Sequence, residues 1–79
     1  MKVTAKLFAT LGSHTPPGRS GNSFEQEIDS STTVEQLLRK WEIPEDMPLI
    51  ILVNAVHADR DQVLNDGDIL AVFPPIAGG

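Results

Sequence analysis

The residues best placed to do chemistry form the last segment of the sequence, Pro74-Pro75-Ile76-Ala77-Gly78-Gly79. Glycine has no side chain, so the backbone of Gly78 and Gly79 can approach another surface closely on all sides. The prolines before it favour an extended exit from the domain. A slim tail of this kind suits insertion into a narrow active site on another protein. The Gly79 carboxylate would be the reacting group, because activation by ATP would give an acyl-adenylate that a sulfur or nitrogen nucleophile can attack.

Other groups that could support catalysis are scarce in this sequence. The chain has no cysteine, and its two histidines, His14 and His57, are isolated from each other. A disulfide framework, a thiolate metal site and a cysteine nucleophile are therefore excluded. The sequence also lacks a nucleophile–base set, a metal-ligand spacing and a glycine-rich phosphate loop. We expect no metal, no bound cofactor and no enzymatic activity of the chain alone.

Length and composition indicate one small domain. The chain has 79 residues, 41% of them hydrophobic and 22% charged, so it should fold around a hydrophobic core without a covalent cross-link. Its formal net charge of −5 argues against binding to nucleic acid or to an anionic membrane. No apolar run approaches a membrane span, and the first residues lack the apolar stretch of a signal peptide. We expect a cytoplasmic protein whose acidic surface serves either basic partners or solubility alone.

The hydrophobic pattern predicts strands on both sides of a long loop. Apolar and polar residues alternate in residues 2–10, which places Phe8 on the more exposed face together with Lys6. Residues 11–22 are rich in glycine and proline and predict a loop, either a partner-binding segment or a tolerated insertion. Further strands are predicted at 23–29, 49–53 and 69–73, with a short edge segment at 56–58 and a turn at 65–68, in which Gly67 is suited to a positive φ. The run 49–53 is apolar throughout and therefore predicts a buried central strand.

One helix is predicted where apolar residues recur at helical spacing: Val34, Leu37, Leu38 and Trp41. Either Thr32 or Thr33 would be its N-cap, and Thr32 would form a capping box with Glu35. Pro44 should end the helix soon after Trp41, which we expect to pack in the core.

The order of these elements predicts an α+β fold. Two strands, one helix and three further strands favour a mixed sheet with the helix packed across one face. The crossover through the helix lets the first and last strands lie side by side and parallel. This is the layout of the ubiquitin-like β-grasp. We expect the β-grasp domain to span residues 1–73, followed by an extended tail, 74–79, that ends in Gly-Gly.

The segment Phe73-Pro74-Pro75-Ile76-Ala77-Gly78-Gly79 resembles the carboxyl terminus of the small subunit of molybdopterin synthase. The wider family is the ubiquitin-like sulfur carriers, which include the thiamine-pathway carrier. Further similar features are Leu7-Phe8-Ala9, the helix start Thr33-Val34-Glu35-Gln36-Leu37, Val53-Asn54 and the turn Asn65-Asp66-Gly67-Asp68. The resemblance spans most of the chain at low density, and its specific parts are the tail and the Asp-Gly-Asp turn.

The resemblance implies a carrier rather than an enzyme. A ubiquitin-activating-type adenylating enzyme would use ATP to activate Gly79, and sulfur transfer would then make a thiocarboxylate. The tail, with Pro74, Pro75, Ile76, Ala77 and Gly78, would insert into the large synthase subunit and donate sulfur to a pterin precursor. We expect the free protein to be a monomer.

The resemblance also implies an apolar docking face that includes Phe8 and Phe73. For Phe73, a buried strand end is an equal alternative. The sequence departs from the family in two places, so the resemblance does not decide the exact partner. One is the long loop at 11–22, and the other is His57, at a position where related carriers tend to have an apolar residue. If His57 lies in the interface, partner binding should weaken at low pH, and His57→Leu should remove that response.

Three functions remain open on the residues alone. The first is a sulfur carrier in molybdenum or tungsten cofactor assembly, with the thiamine pathway as a variant. The second is a protein modifier joined to lysines through Gly79, and the third is an interaction domain with an inert tail. Pro74-Pro75 favours the molybdopterin branch over the thiamine branch.

Overall fold

The fold is a single mixed sheet with one α-helix on one side of it. The computed structural model describes residues 1–14 and 23–74. Within them lie strands β1 (Lys2–Leu7), β2 (Ser23–Glu27), β3 (Ile50–Val53), β4 (Val56–His57) and β5 (Ile69–Phe73), and helix α1 (Val34–Lys40). A 3₁₀ helix (Ala9–His14) follows β1.

The order of the strands across the sheet is β2-β1-β5-β3-β4. The first and last strands, β1 and β5, are parallel neighbours, and the other three pairings are antiparallel. The predicted α+β class and the ubiquitin-like β-grasp layout are therefore confirmed. Strand β5 lies between β1 and β3 at the centre of the sheet. The chain therefore leaves the domain from a strand that has a neighbouring strand on each side.

The core lies between the sheet and α1. Period-two alternation in β1 buries Val3, Ala5 and Leu7, while the helix contributes residues at helical spacing. The largest fully buried side chains are Leu7, Leu11, Leu38, Leu64, Leu70, Val3, Val34 and Val72. Trp41 is in the core, as predicted.

Trp41 joins the end of the helix to β2. Its ring packs edge-to-face on Phe24 at 5.4 Å between ring centroids, and its indole Nε1–H donates to Oε1 of Gln26 at 3.1 Å. This satisfies the polar atom of the indole, so the ring can be buried at low cost.

Local hydrogen bonds define both ends of α1. Thr33 is the N-cap, and it forms a capping box with Gln36. Of the two predicted caps, Thr33 is correct, and the predicted box between Thr32 and Glu35 is wrong because the Thr32 hydroxyl bonds Asp29 instead. At the other end Glu42 adopts a left-handed φ of 60°.

That conformation of Glu42 closes a Schellman motif. The amide of Glu42 donates to the carbonyl oxygen of Arg39, and the amide of Ile43 donates to that of Leu38, both at 3.0 Å. The helix therefore ends before Pro44, and the buried Ile43 lies against the turn that it closes.

Two corrections concern the segment after β1. The predicted strand at 2–10 ends at Leu7, because Ala9 has a left-handed φ of 53° and starts the 3₁₀ helix. The predicted loop at 11–22 is wrong for residues 11–14, which are helical. Leu11 is 1% exposed, so one apolar side chain anchors the start of this segment in the core. Residues 15–22 lie outside the described part of the chain.

The run 49–53 is not buried on both faces. Strand β3 begins at Ile50, and only Ile51 and Val53 are buried, while Ile50 is 40% exposed. The reason is that α1 covers one face of the sheet, so even an apolar strand turns every second residue away from it. Strand β2 also ends early, at Glu27, within the predicted range 23–29.

No helix in residues 1–14 and 23–74 is long and apolar enough to cross a membrane.

Candidate functional site

The face of the sheet turned away from α1 is called the outer face here. Residues that pair in neighbouring strands share a face, so the register identifies its central row. Lys6 lies beside Ala71, Ala71 beside Leu52, and Leu52 beside His57. Alternation along the strands adds further members, so the outer face includes Lys6, Phe8, Ile50, Leu52, His57, Ile69, Ala71 and Phe73.

Phe8 and Phe73 meet at the end of this face from which the tail departs. Their rings are stacked, with 4.3 Å between centroids and 3° between planes. The Phe8 amide donates to the carbonyl oxygen of Val72 at 3.1 Å, which keeps Phe8 beside β5 after β1 has ended. Phe8 is half-buried on the more exposed side of β1, as predicted. Phe73 is also half-buried, so the alternative of a buried strand end is wrong.

His57 lies on the outer face at the far edge of the sheet. It is exposed and directly opposite Leu52. Three strand spacings separate His57 from Lys6, about 14 Å at the usual distance between strands. The structure therefore places Phe8, Phe73 and His57 on one surface. Their role in docking stays a prediction.

A shallow apolar depression of about 500 Å³ lies on the outer face beside these residues. This outer-face depression is lined by Lys6, Phe8, Leu52, Asn54, Ala55, Ile69 and Ala71. Sequence reasoning identified only Phe8 among them as a docking residue. The others come from three chain segments, and only the register of the strands brings them together.

Asn54 joins the β3–β4 turn to the start of β5. Its side-chain oxygen accepts from the Ile69 amide at 2.9 Å, and its Nδ2 donates to Oδ1 of Asp68 at 2.9 Å. Its own amide donates to the Ile69 carbonyl oxygen at 2.8 Å. Asn54 has a φ of 52°, a left-handed conformation that Asn tolerates better than most residues.

The predicted turn at 65–68 holds the same end of β5 against β1. Oδ2 of Asp68 accepts from the Asn65 amide at 2.8 Å, and Oδ1 of Asp66 accepts from the Lys2 amide at 2.8 Å. Gly67 has a φ of 86°, as its turn position predicted. The side chains of Asn54, Asp66 and Asp68 thus act as clamps that fix where β5 begins.

The tail itself is described only at its first residue. Pro74 is half-buried where it leaves β5, next to the Phe8–Phe73 stack. The predicted threading residues Pro75, Ile76, Ala77 and Gly78, and the predicted reacting residue Gly79, lie outside the described residues.

The carboxyl groups with shifted pKa values belong to the helix side of the molecule. Hydrogen bonds from the backbone and side chain of Ser31, and from Thr32, lower the pKa of Asp29. Hydrogen bonding from Arg60, at 3.2 Å, is the main cause of the lowered pKa of Glu35, and Arg39 adds to it. These contacts fasten the start of α1 and are not part of the outer face.

His14 has a structural contact rather than a place in the candidate site. Its Nδ1 lies 3.0 Å from the carbonyl oxygen of Trp41, so the tautomer with a proton on Nδ1 donates to the end of α1. Within residues 1–14 and 23–74, no group of three or more His, Asp or Glu side chains could hold a metal ion.

The described residues form a ubiquitin-like β-grasp, with apolar side chains on the outer face beside the strand end that leads into Pro74. The model of the ThiS family matches residues 5–79, nearly the whole chain, so the chain belongs to the ThiS family. No curated protein matches it in sequence.

Solved structures agree with this assignment. Putative molybdopterin converting factor subunit 1 from Pyrococcus furiosus is 26% identical, with 95% of this chain and 98% of that chain covered and a TM-score of 0.72. Small archaeal modifier protein 1 from Haloferax volcanii is 22% identical, with 95% and 98% covered and a TM-score of 0.71.

A chain of the complex of subunits 1 and 2 of molybdopterin-converting factor from Helicobacter pylori is 20% identical. Both chains are fully covered, and the TM-score is 0.58. At this identity, and at that of the Haloferax protein, the likeness concerns the fold alone. Because the family model matches residues 5–79, the chain is a ubiquitin-like sulfur carrier or modifier of the ThiS type.

Proposed function

We propose that this protein is a sulfur carrier whose Gly79 carboxylate is adenylated, converted to a thiocarboxylate and used as a sulfur donor in molybdopterin biosynthesis. The observation that carries the proposal is the family match, which runs through the tail to residue 79. The proposal requires Gly79 to be the last residue of the active protein.

The chemistry needs only the main chain of this protein. A Gly79 carboxylate oxygen attacks the α-phosphate of ATP, and pyrophosphate leaves. Hydrosulfide from the sulfur source then attacks the carbonyl carbon and displaces AMP, which carries away the attacking oxygen and leaves the thiocarboxylate. We propose that the adenylating enzyme supplies the catalytic groups and binds the ATP, and that the reaction takes place in the cytoplasm. The absence of cysteine from the chain is compatible with this chemistry, because the sulfur would be carried on the terminal carboxyl group.

The outer face supports the proposal because it lies next to the start of the tail. A partner that covers Phe8 and Phe73 is positioned at the residue that precedes Pro74. Half-buried aromatic rings offer a large apolar area to a partner while they remain packed in the free protein. We propose that Phe8, Phe73 and His57 contact the adenylating enzyme and the large synthase subunit.

The molybdopterin pathway is favoured by the Pro74-Pro75 exit and by the Pyrococcus furiosus neighbour. The complex from Helicobacter pylori gives a precedent, in its own protein, for a subunit 2 partner. A second candidate is a protein modifier conjugated through Gly79, which the Haloferax volcanii neighbour favours. The thiamine-pathway carrier is the third, since it is one of the ubiquitin-like sulfur carriers that the chain resembles and the matching model is that of the ThiS family.

Intact mass after incubation with ATP, the cognate adenylating enzyme and a sulfur source tests the proposal. We expect replacement of one oxygen by sulfur at Gly79, and no change when Gly79 is deleted or when one residue is added after it. Gly12→Ala is a matched control, because a methyl group at Gly12 meets no atom within 4 Å. Thermal melts should show that all these variants fold.

The modifier and the inert domain each give a different product in this experiment, whereas the thiamine-pathway carrier gives the same thiocarboxylate as the molybdopterin carrier. A modifier gives isopeptide-linked conjugates in a lysate supplied with ATP, and an inert domain gives neither an adenylate nor a conjugate. Sulfur transfer by the extended variant without trimming would refute the role of the Gly79 carboxylate.

A further inference from the structure

The surroundings of Lys6 differ from those of Lys2, the other lysine of β1 on the outer face. Lys6 is half-buried and lines the outer-face depression, among apolar side chains such as Phe8 and Leu52. The chain as a whole carries a formal net charge of −5. A lysine at the side of an apolar depression on an acidic protein is costly to cover unless the covering surface provides an anion.

The register of β1 and β2 places no acidic residue directly opposite Lys6. The outer face of β2 presents Ser23, Glu25 and Glu27, and these lie opposite Lys6, Thr4 and Lys2 respectively. Lys6 therefore faces a serine. Lys2, on the same face of the same strand, has its Nζ 3.7 Å from Glu25. Within residues 1–14 and 23–74, no carboxylate lies within 4.0 Å of the Lys6 ammonium.

We propose that Lys6 pairs with an Asp or Glu side chain of the adenylating enzyme, whose apolar docking surface covers the outer-face depression. This inference rests on the proposed function, and it adds that the partner must present a carboxylate to Lys6. The adenylating enzyme is the committed partner because the molybdopterin, thiamine and modifier candidates all require activation of Gly79. The pairing therefore does not depend on which of these pathways the protein serves.

The position of Lys6 gives the ion pair a function in alignment. Apolar contact with Ala71, Leu52 and Ile69 is not directional, so it alone fixes neither the rotation nor the register of the partner. A charge that is covered by the interface penalises every orientation that leaves it unpaired. Lys6 lies in the strand next to β5, so the pairing orients the partner relative to the start of the tail.

Binding of the full-length protein to the purified adenylating enzyme in the presence of ATP tests the pairing. Lys6→Met keeps an unbranched apolar side chain and removes the charge, while Lys6→Glu reverses it. We expect affinity to fall about tenfold for Lys6→Met and about 30-fold or more for Lys6→Glu. Lys40→Glu is the matched control, because Lys40 is exposed in the last turn of α1, the helix that covers the opposite face.

The two Lys→Glu variants have the same formal net charge, since each takes −5 to −7. Long-range electrostatic effects on the binding rate are thus nearly matched, and the difference between the variants reports local contact. An Asp→Lys and Glu→Lys scan of the enzyme surface should contain one change that restores binding of Lys6→Glu. Thermal melts confirm that the variants are folded.

Three results would overturn the inference. Equal affinity of Lys6→Glu and Lys40→Glu would exclude the ion pair while leaving adenylation of Gly79 intact. A wild-type dimer in sedimentation that Lys6→Glu dissociates would show that the occupant is a second copy of the chain. Wild-type protein that the enzyme neither binds nor adenylates would refute the proposed function, and the pairing with it.

Discussion

Asn54 should be a main determinant of where β5 begins, and its substitution gives a quantitative test. Asn54→Ala removes two side-chain hydrogen bonds, each 2.9 Å long, to Asp68 and to the Ile69 amide. Both bonds are exposed, so water can replace them and each loss should cost about 0.5 kcal/mol. Alanine at a φ of 52° adds about 1 kcal/mol of backbone strain. The expected loss of stability is about 2 kcal/mol.

A change of this size is easily measured in a small domain. For a domain of this length, 2 kcal/mol corresponds to a fall in Tm of roughly 8–16 °C. Asn54→Gly separates the contributions, because glycine accepts the left-handed backbone and loses only the two side-chain bonds. It should therefore cost about 1 kcal/mol. Urea unfolding monitored by Trp41 fluorescence would give the free energies.

Asn65→Ala is the matched control for Asn54→Ala. Asn65 lies in the neighbouring turn and contributes its backbone amide to Asp68. Its side chain forms no hydrogen bond with the described residues, so its loss should change stability by less than about 0.5 kcal/mol. If Asn54→Ala were no more destabilising than Asn65→Ala, the clamp on β5 would not exist.

Two further predictions concern strained backbone and pH. Glu42 and Ala55 have φ of 60° and 68°, so Glu42→Gly and Ala55→Gly should each raise the free energy of unfolding by about 0.5–1 kcal/mol in the same urea assay. Asp61→Gly is the control and should not raise it, because Asp61 does not have a positive φ. The pKa of Glu35 is lowered in the folded state, chiefly by Arg60, so the stability that this contact provides is present above the unfolded pKa near 4.5. It is lost as pH falls through the lower folded pKa. Glu35→Gln should therefore destabilise at pH 7 and show a weaker fall between about pH 5 and pH 3, and an unchanged pH slope would contradict this.

Much of the fold follows from local patterns in the sequence. Alternation in the first strand separates Phe8 from the buried Leu7, and the Asn-Asp-Gly-Asp turn predicts the left-handed Gly67. These predictions hold because each depends on a few neighbouring residues. The choice between Thr32 and Thr33 as N-cap depends instead on Asp29, which competes for the Thr32 hydroxyl.

Leu64 illustrates what local patterns miss. It is fully buried, yet it lies in an irregular segment where no periodicity marks it as a core residue. Its amide donates to the carbonyl oxygen of Thr32 at 2.9 Å, and Thr33 and Val63 form an isolated bridge beside it. Contacts between segments so far apart in the chain arise only in the folded state. Leu11 is likewise buried, although the glycine and proline residues that follow it predicted an exposed loop.

The family features and the candidate docking surface obey different constraints. The features at Asn54, Gly67 and Thr33 fix backbone conformations, so they identify the fold and the place where β5 starts. The outer face is assembled from side chains on five strands, and the fold requires only that they alternate with buried residues. Membership of the family therefore leaves the pathway open, because partner choice depends on residues such as Lys6 that the scaffold does not constrain. Substitutions on the outer face should consequently change partner affinity far more than stability, and the converse should hold for the clamp residues of β5.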